Sequence, residues 1–487
     1  MIRALLLSEL QQYFGGERLK GDVAFTGIET DSRANLSGNV FLALKGERFD
    51  GHLFCQQAQN QGAVGLVVSD YQPDIDLPQW LVPDTRIALG QIATYNRGLF
   101  TGPVIAITGN SGKTTVKEML GAILTEAVGQ NKVLITAGNF NNDIGVPLTL
   151  MRLSEQHQYA VIELGANHLG EIDYCGRIAR PDIGVVLNVT GAHLGEFGSI
   201  QQIAQAKGEL IQVLGSEGKI VVNYDDAFVD YWISLAGERL LTGYSMLKFD
   251  SDQAVIAEES EGNSVERSVG SSVEKIDLYA TDLQVTECGY RFNLCVSDRL
   301  ADARHLSERR IPVQLQVPAR HNVSNALAAA SAALQLGLDL TCIAQGLNHF
   351  SGVSGRLQTV TGLQQSRIIN DSYNANPGSV RAAIDTLMDY SGEHILVLGD
   401  IGELGAATEQ AHQELGIYAK AKGVGRLLTI GQFTALTCQA FGSGAEHFAD
   451  KASLIAAIKP HLKSDTTLLV KGSRSSKMEL VVTGLTL

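Results

Sequence analysis

PVIAITGNSGKTTVKEMLGAILTEA, residues 103–127, decides how the rest of the chain is read. PVIAIT is a compact apolar strand and GNSG a turn, after which Val116, Met119, Leu120, Ile123, Leu124 and Ala127 fall on one helical face. In a strand, glycine turn and helix in that order, backbone N–H groups and a helix N-terminus converge on phosphate oxygens. A following Lys-Thr pair adds a cation for the β and γ phosphates and a hydroxyl suited to Mg²⁺. The segment therefore predicts an ATP site on a solvent-facing loop, built from Thr108, Gly109, Asn110, Ser111, Gly112, Lys113, Thr114 and Thr115. One departure stands out: Ile107 occupies the position, five before the Gly-Lys pair, where glycine is usual.

Downstream, YAVIEL (159–164), IGVVLNV (183–189) and KIVVNY (219–224) read as further strands separated by helix-like stretches, so a mostly parallel sheet is expected around the loop. Metal bound to a triphosphate needs further hard ligands, and a carboxylate at the C-terminal end of a neighbouring strand is their natural source. Glu163 fits that position, although read alone it is an ordinary strand-end glutamate. Asn188 and His193, in LNVTGAH, fall on the same predicted rim. Lys207, in IAQAKGEL, reads by itself as a surface charge beside Glu209. Asn322 and Asn325 lie three apart in ARHNVSNALAA, on one helical face, where they either contact a nucleotide or cap the alanine-rich helix that follows.

A chain of 487 residues exceeds what one hydrophobic core supports, and three units are expected: 1–100, a small α/β domain; 101–353, the phosphate-loop domain with its mostly parallel sheet; and 354–487, a doubly wound, Rossmann-like domain. In the first, VFLAL (40–44) and AVGLVVS (63–69) are short strands broken by Gly, Asp and Pro, and the opening residues read as an amphipathic helix. In the third, RIIND, HILVLGD, RLLTIG and TLLVKG are apolar strands ending in polar or glycine turns. Residues 250–272, rich in Ser, Glu and Gly, read as a surface insertion. Arg356 and Asp371 head the third unit; an arginine fork suits phosphate and an aspartate suits ribose hydroxyls, and domain closure would be needed to bring them to Lys113.

A net charge of -14 argues against nonspecific binding to nucleic acid or anionic lipid, both of which need a cationic surface. The six cysteines are scattered without CxxC pairs, which speaks against a zinc site or disulfide framework. No apolar stretch approaches the length of a membrane span, so a cytoplasmic protein is expected.

Five blocks together resemble the Mur ligase family over nearly the whole chain: TDSR (30–33) with FLALKGERFDGH (41–52); ITGNSGKTT (107–115); GNFNNDIGVPLTL (138–150); HNVSNALAA (321–329); and Gly355-Arg356 followed by NDSYNANPGS (370–379). NFNNDIG and DSYNANP, with LGDIGELG (398–405) and KGSR (471–474), are similar to the dipeptide-adding member rather than its siblings. The resemblance implies ATP-dependent amide synthesis through an acyl phosphate, with a UDP-N-acetylmuramoyl-tripeptide and D-alanyl-D-alanine as partners, in a protein acting as a monomer. It implies catalytic roles for Lys113, Glu163, His193, Lys207 and Arg356. It further implies Mg²⁺ held by Thr114, Glu163, His193 and a carbamylated Lys207, and nucleotide contacts from Asn322, Asn325, Arg356, Asp371, Tyr373 and Asn374. Substrate contacts are implied for Ser32, Arg33, Lys45 and Gly46 at the UDP end, for Asn139 and Asn142, and for Asp400, Glu403 and His412 near the incoming amine. Departures are Ala319, where glycine is expected before the His-Asn pair, Ile401 in place of methionine, and the long stretch 250–310. The rivals are a sibling amino-acid-adding ligase, a folylpolyglutamate synthetase, or a phosphate-loop NTPase acting as a switch or motor. The last leaves the TDSR block and the third unit without a purpose.

Overall fold

Val104–Thr108 is a strand with every residue buried, and it runs inside a nine-stranded sheet, third from one edge. The computed structural model describes residues 1–46, 49–190, 197–246, 276–286 and 288–486; His193 and the 250–272 insertion lie outside them. In the sheet Val104–Thr108 pairs parallel with Tyr159–Glu163 on one side and Ile183–Val186 on the other. Val133–Ile135 lies beyond the former, and Lys219–Asn223, Leu241–Ser245 and Ile276–Thr286 extend the parallel order beyond the latter. Gly289–Val296 and Arg310–Leu315 complete the sheet as an antiparallel edge that the sequence reading did not place. The register sets Glu163 opposite Ile107 and Val186 opposite Thr108, so the loop, Glu163 and the segment after Val186 emerge on one rim. The chain crosses from one side of Val104–Thr108 to the other there, which is where open α/β sheets leave a crevice.

The loop helix, Lys113–Val128, buries Val116, Met119, Leu120, Ile123 and Leu124 completely, with Ala127 half-buried. Each such side chain contributes about 1.5–3 kcal/mol by leaving water, so tertiary packing holds this helix in place. Its partners are His321–Gln335, within which the alanine-rich run falls, and Leu340–His349. Small residues permit the close approach: a Cβ on Gly346 would lie 2.4 Å from Ile123 Cα, a backbone atom with nowhere to go. Gly346→Ala is therefore expected to lower stability by about 1–3 kcal/mol, read as a lower urea midpoint with the slope unchanged.

The N-terminal helix Leu7–Phe14 turns Leu7 and Leu10 inward. A five-stranded sheet follows, in the order Glu17–Leu19, Gln79–Leu81, Gly65–Val68, Asn39–Leu42, Gly27–Glu29, parallel except at the first strand. Helix Thr85–Leu99, capped by the Asp84 carboxylate accepting from two backbone N–H groups, packs on Gly145–Met151 and Glu171–Ala179 of the next layer. Asn96 donates to the Leu150 carbonyl at 2.9 Å and Arg97 to the Ala179 carbonyl at 2.8 Å. One apolar core runs through this junction, so the chain near Phe100 separates sheets without separating cores.

The C-terminal sheet has six strands, ordered Gln358–Thr361, Arg367–Asp371, Thr466–Lys471, Glu393–Gly399, Arg426–Ile430, Ala445–Phe448, parallel except for the first. The four apolar strands read from the sequence are its centre, with apolar clusters on both faces. The mixed α/β architecture expected from the strand pattern is the one observed. Among the described residues no helix is long and apolar enough to cross a membrane.

Candidate active site

The glycine turn closes into a cradle fastened to the neighbouring strand's end. Asn110 N–H donates to the Asn188 carbonyl at 3.0 Å, and the Ser111 N–H and hydroxyl donate to Asn188 Oδ1 at 3.0 and 3.2 Å. Two glycines are required here. Gly109, at φ +154°, would press a Cβ to 2.9 Å from Leu187 Cβ, and Gly112, at φ +81°, would press one to 2.5 Å from Asn325 Oδ1. Asn325 thus packs against the cradle; it donates to Asn322 Oδ1 at 3.0 Å, and Asn322 donates to the Pro318 carbonyl at 2.6 Å. The pair therefore abuts the loop, and Asn322 ties the first turn of its helix to the preceding segment without capping the helix N–H groups. Ala319, just before this helix, sits at φ +72°, the left-handed region that favours glycine, which supplies a physical reason for the glycine that the family resemblance implied there.

Lys113 does not extend into solvent as the sequence suggested. Half-buried, it folds back so that Nζ donates to the Gly109 and Asn110 carbonyls at 2.7 and 3.2 Å. Burial lowers its pKa; the charge on Glu163 opposes this and that on Arg356 adds to it. Arg356, from the head of the C-terminal segment, is thus within electrostatic reach of the loop. Thr108 is fully buried, its hydroxyl donating to the Leu164 carbonyl at 2.9 Å, so it ties strands together. Thr115 is half-buried in the first helical turn.

Thr114 and Glu163 meet: the threonine hydroxyl donates to Glu163 Oε2 at 2.9 Å. Asn141 donates to Glu163 Oε1 at 2.8 Å, and Lys117 Nζ lies 3.8 Å from Oε2 and 3.1 Å from Glu118. Lys117 is wholly buried, with its ammonium also donating to the Thr136 carbonyl at 2.7 Å. Neither Lys117 nor Asn141 was singled out from the sequence. The signal for Lys117 was its place four residues after Lys113, one helical turn along the same face. Within NFNND the emphasis fell on Asn139 and Asn142; Asn139 is exposed, and the Asn142 side chain accepts from Gly145 N–H at 2.8 Å at the start of the next helix.

Lys207 corrects the bland reading of a surface charge. It is 3% exposed on Ile200–Val213, its ammonium 5.7 Å from the centre of the Phe197 ring. Burial, with the nearby Lys113 charge adding to it, lowers its pKa to about 7, against the pull of Glu209 and Glu171. Below pH 7 folded and unfolded chains both hold the proton, and the cost of burying the charge is felt in full. Between about 7 and the ordinary 10.5 only the unfolded chain holds it, so stability grows as pH rises. In CO₂-free buffer, urea midpoints measured at pH 7 and 9 should rise for the native protein and rise less for Lys207→Met.

On the C-terminal side Arg356 lies over the Tyr373 ring, 4.2 Å from its centre. Asp371 accepts from Leu357 N–H at 3.2 Å and from Lys471 Nζ at 2.5 Å, and Lys471, 2% exposed, also donates to the Asn374 carbonyl at 3.0 Å. Lys471 belongs to the quoted KGSR string, but nothing in sequence indicated that it pairs with Asp371 a hundred residues away. His321 has its side chain partly open to solvent where the alanine-rich helix begins, yet crowding by surrounding protein atoms desolvates the ring and lowers its pKa, with Asp371 opposing and Lys471 adding. Asn374 is exposed and its side chain accepts from the adjacent Ala375 N–H.

His412 and Asp400, both expected near the amine, are engaged by backbone groups. His412 is fully buried, Nδ1 donating to the Thr408 carbonyl at 2.7 Å and Nε2 accepting from Ile401 N–H at 3.2 Å. The Asp400 carboxylate accepts from the backbone N–H groups of Gln432, Phe433 and Thr434 at 2.7–3.0 Å, capping the next helix. Glu403 is exposed, at φ +63°.

In the N-terminal sheet Ser32 is buried, donating to Gln57 Oε1 at 3.2 Å, while Arg33 is exposed and bonded to Asp31, whose pKa it draws down to about 2. Lys45 Nζ lies 3.0 Å from Asp70 and 3.6 Å from Asp50. Asp50, His52 and Asp70 sit close enough together for a metal ion, yet Lys45 already supplies the positive charge. His52 Nε2 accepts from Ser69 N–H at 2.9 Å, which leaves Nδ1 to donate to Asp50 at 2.6 Å. Gly46 N–H donates to the Phe49 carbonyl at 2.8 Å, closing that turn.

Fold and rim together define a phosphate-loop nucleotide-binding protein of the α/β class, with a second doubly wound sheet bringing an arginine to the loop. Residues 107–333 match the Mur ligase middle domain, 355–474 the Mur ligase glutamate ligase domain, and 24–96 the Mur ligase family catalytic domain. The chain is 41% identical over 485 residues to the UDP-N-acetylmuramoyl-tripeptide–D-alanyl-D-alanine ligase of Escherichia coli (strain K12), covering 99% of this chain and 98% of that one. A crystal structure of MurF from Acinetobacter baumannii superposes with a TM-score of 0.83 at 35% identity, covering 99% and 98% of the two chains. MurF ligase from Thermotoga maritima, solved in complex with ADP, gives a TM-score of 0.76 at 25% identity over 94% and 96%. The chain belongs to the Mur ligase family.

Proposed function

We propose that this protein is the ATP-dependent ligase that joins D-alanyl-D-alanine to UDP-N-acetylmuramoyl-tripeptide through an acyl phosphate, releasing ADP and phosphate. The product supplies peptidoglycan synthesis, and with it cell shape and division, in the cytoplasm. The observation that carries this reading is the Thr114–Glu163 pair beside Lys113 on one rim, with Arg356 near enough to act on the Lys113 charge, in a chain that matches ligases of this name over 99% of its length.

Thr114 Oγ1 and Glu163 Oε2 are adjacent hard oxygen donors, which fits Mg²⁺. Bound there, the ion would neutralise phosphate charge as a Lewis acid. Glu163 is held for this by Asn141 and Lys117. His193 and a carbamylated Lys207 are the further ligands implied by the resemblance. The Lys207 site suits that modification, because carbamylation requires a neutral amine and a pKa of about 7 provides one at physiological pH. The cradle N–H groups hold the phosphates, and Lys113 exchanges its two carbonyl acceptors for phosphate oxygens. Arg356 faces the same charge from the other side, so the substrate carboxylate approaches the γ phosphate without net repulsion. Asn325, Asp371 and Tyr373 line the nucleotide's approach, and Ser32, Arg33, Lys45 and Gly46 receive the UDP end. We assign these tasks to three units, 1–100, 101–353 and 354–487, working as a monomer.

The test is phosphate release from ATP, Mg²⁺ and UDP-N-acetylmuramoyl-tripeptide, with and without D-alanyl-D-alanine. Release that depends on the dipeptide supports the reading. Release indifferent to it would favour a phosphate-loop NTPase, and release driven instead by a single amino acid would favour a sibling ligase.

A further inference from the structure

The geometry points to Arg474 as the group that binds the terminal carboxylate of the incoming dipeptide, and so sets the requirement for a free C-terminus; this deepens the ligase reading and rests on it. Arg474 stands just past the end of Thr466–Lys471, between the rim segments that carry Tyr373 and Asp400. Its backbone is firmly placed. Ser473 donates to the Asp400 carbonyl from both N–H and hydroxyl, at 3.0 and 2.7 Å, and the Ser476 hydroxyl donates to the same oxygen at 2.9 Å. Its side chain is not similarly committed: two-thirds exposed, it pairs with Glu479 at 3.3 Å and stands 5.7 Å from the centre of the Tyr373 ring, and such a surface ion pair exchanges readily for a better anion.

Position relative to the reacting atoms supplies the second argument. The Arg356 and Arg474 guanidinium carbons lie 4.2 and 5.7 Å from the centre of one ring, Tyr373, hence within about 10 Å of each other. An extended dipeptide spans about 7 Å, and a hydrogen bond adds about 3 Å. A dipeptide whose amine meets an acyl phosphate beside Arg356 is therefore long enough to reach Arg474 with its carboxylate. The other cation at this strand end, Lys471, is buried against Asp371. An arginine fork suits a carboxylate bidentately.

The experiment compares native protein, Arg474→Gln and Arg474→Lys with D-alanyl-D-alanine and with its C-terminal carboxamide. Arg474→Gln should raise the KM for the dipeptide about 10- to 100-fold, with KM for ATP and for the nucleotide-sugar peptide within about twofold. Arg474→Lys should fall between the two, since a point charge lacks the fork. The native protein should reject the carboxamide by a similar factor, and Arg474→Gln should no longer distinguish the two. An unchanged dipeptide KM, an equal rise in the KM for ATP, or a native protein indifferent to the carboxamide each overturns the assignment. If the native protein makes no amide at all, the ligase reading fails and this one with it. A native protein that ligates no better than Arg474→Gln removes the arginine assignment alone.

Discussion

Lys113→Ala is expected to lower the rate of ADP formation by about a thousandfold or more, while the unfolding temperature moves by less than about 3 °C. The two halves of this expectation have separate causes. In the Lys113 ammonium, burial and then Arg356 lower the pKa, and two loop carbonyls and the charge on Glu163 compensate it in part. Removing it relieves about as much as it takes away, and the cradle is still fastened by Asn188 and Asn325. Turnover is another matter, because charge develops on the transferring phosphoryl group where the ammonium is already aimed. Colorimetric phosphate release beside a thermal melt reads both quantities. Native rates in the variant would remove Lys113 from the mechanism, and a collapsed melt would show that the loop depends on it structurally.

Lys207→Ala is expected to cost about a hundred- to a thousandfold in turnover, and saturating bicarbonate should not recover it. Short carboxylates such as acetate or formate should recover part, by placing an anion in the space the carbamate would fill. The structure adds a reason for the reactivity: at a pKa of about 7 a substantial fraction of the amine is neutral, able to attack CO₂. In the native protein, activity should therefore fall in CO₂-depleted buffer and return on adding bicarbonate. Full activity in Lys207→Ala would discard the carbamate. Loss without carboxylate rescue would leave Lys207 a structural group.

Much of the scaffold was legible from local pattern. The five apolar positions of the loop helix that are buried recur at helical spacing, and the apolar runs at 159–164, 183–189 and 219–224 became parallel strands of one sheet on either side of Val104–Thr108, because a strand covered on both faces must be apolar throughout. The antiparallel pair Gly289–Val296 and Arg310–Leu315 was missed, since the outermost strand is half-exposed and carries a weaker pattern. At the site, the cradle, Thr114 and Glu163 followed from residue type and strand position. Lys117, Asn141 and Lys471 did not, because what distinguishes each is burial beside a partner distant in sequence. His412 and Asp400 illustrate the converse: side chains able to do chemistry, but engaged by backbone groups of their own domain.

The amino-acid sequence alone determined that a phosphate cradle must form, because strand, glycine turn and helix are set by neighbours within some twenty-five residues, and it marked the chain's resemblance to the Mur ligases. Only the tertiary structure decided which charges face one another. It turned a seemingly solvated Lys207 into a buried amine near neutrality, brought Arg356 to Lys113, and left Arg474 without a strong partner. Burial and long-range electrostatics depend on which segments pack together, and that is a property of the folded chain rather than of any window along it.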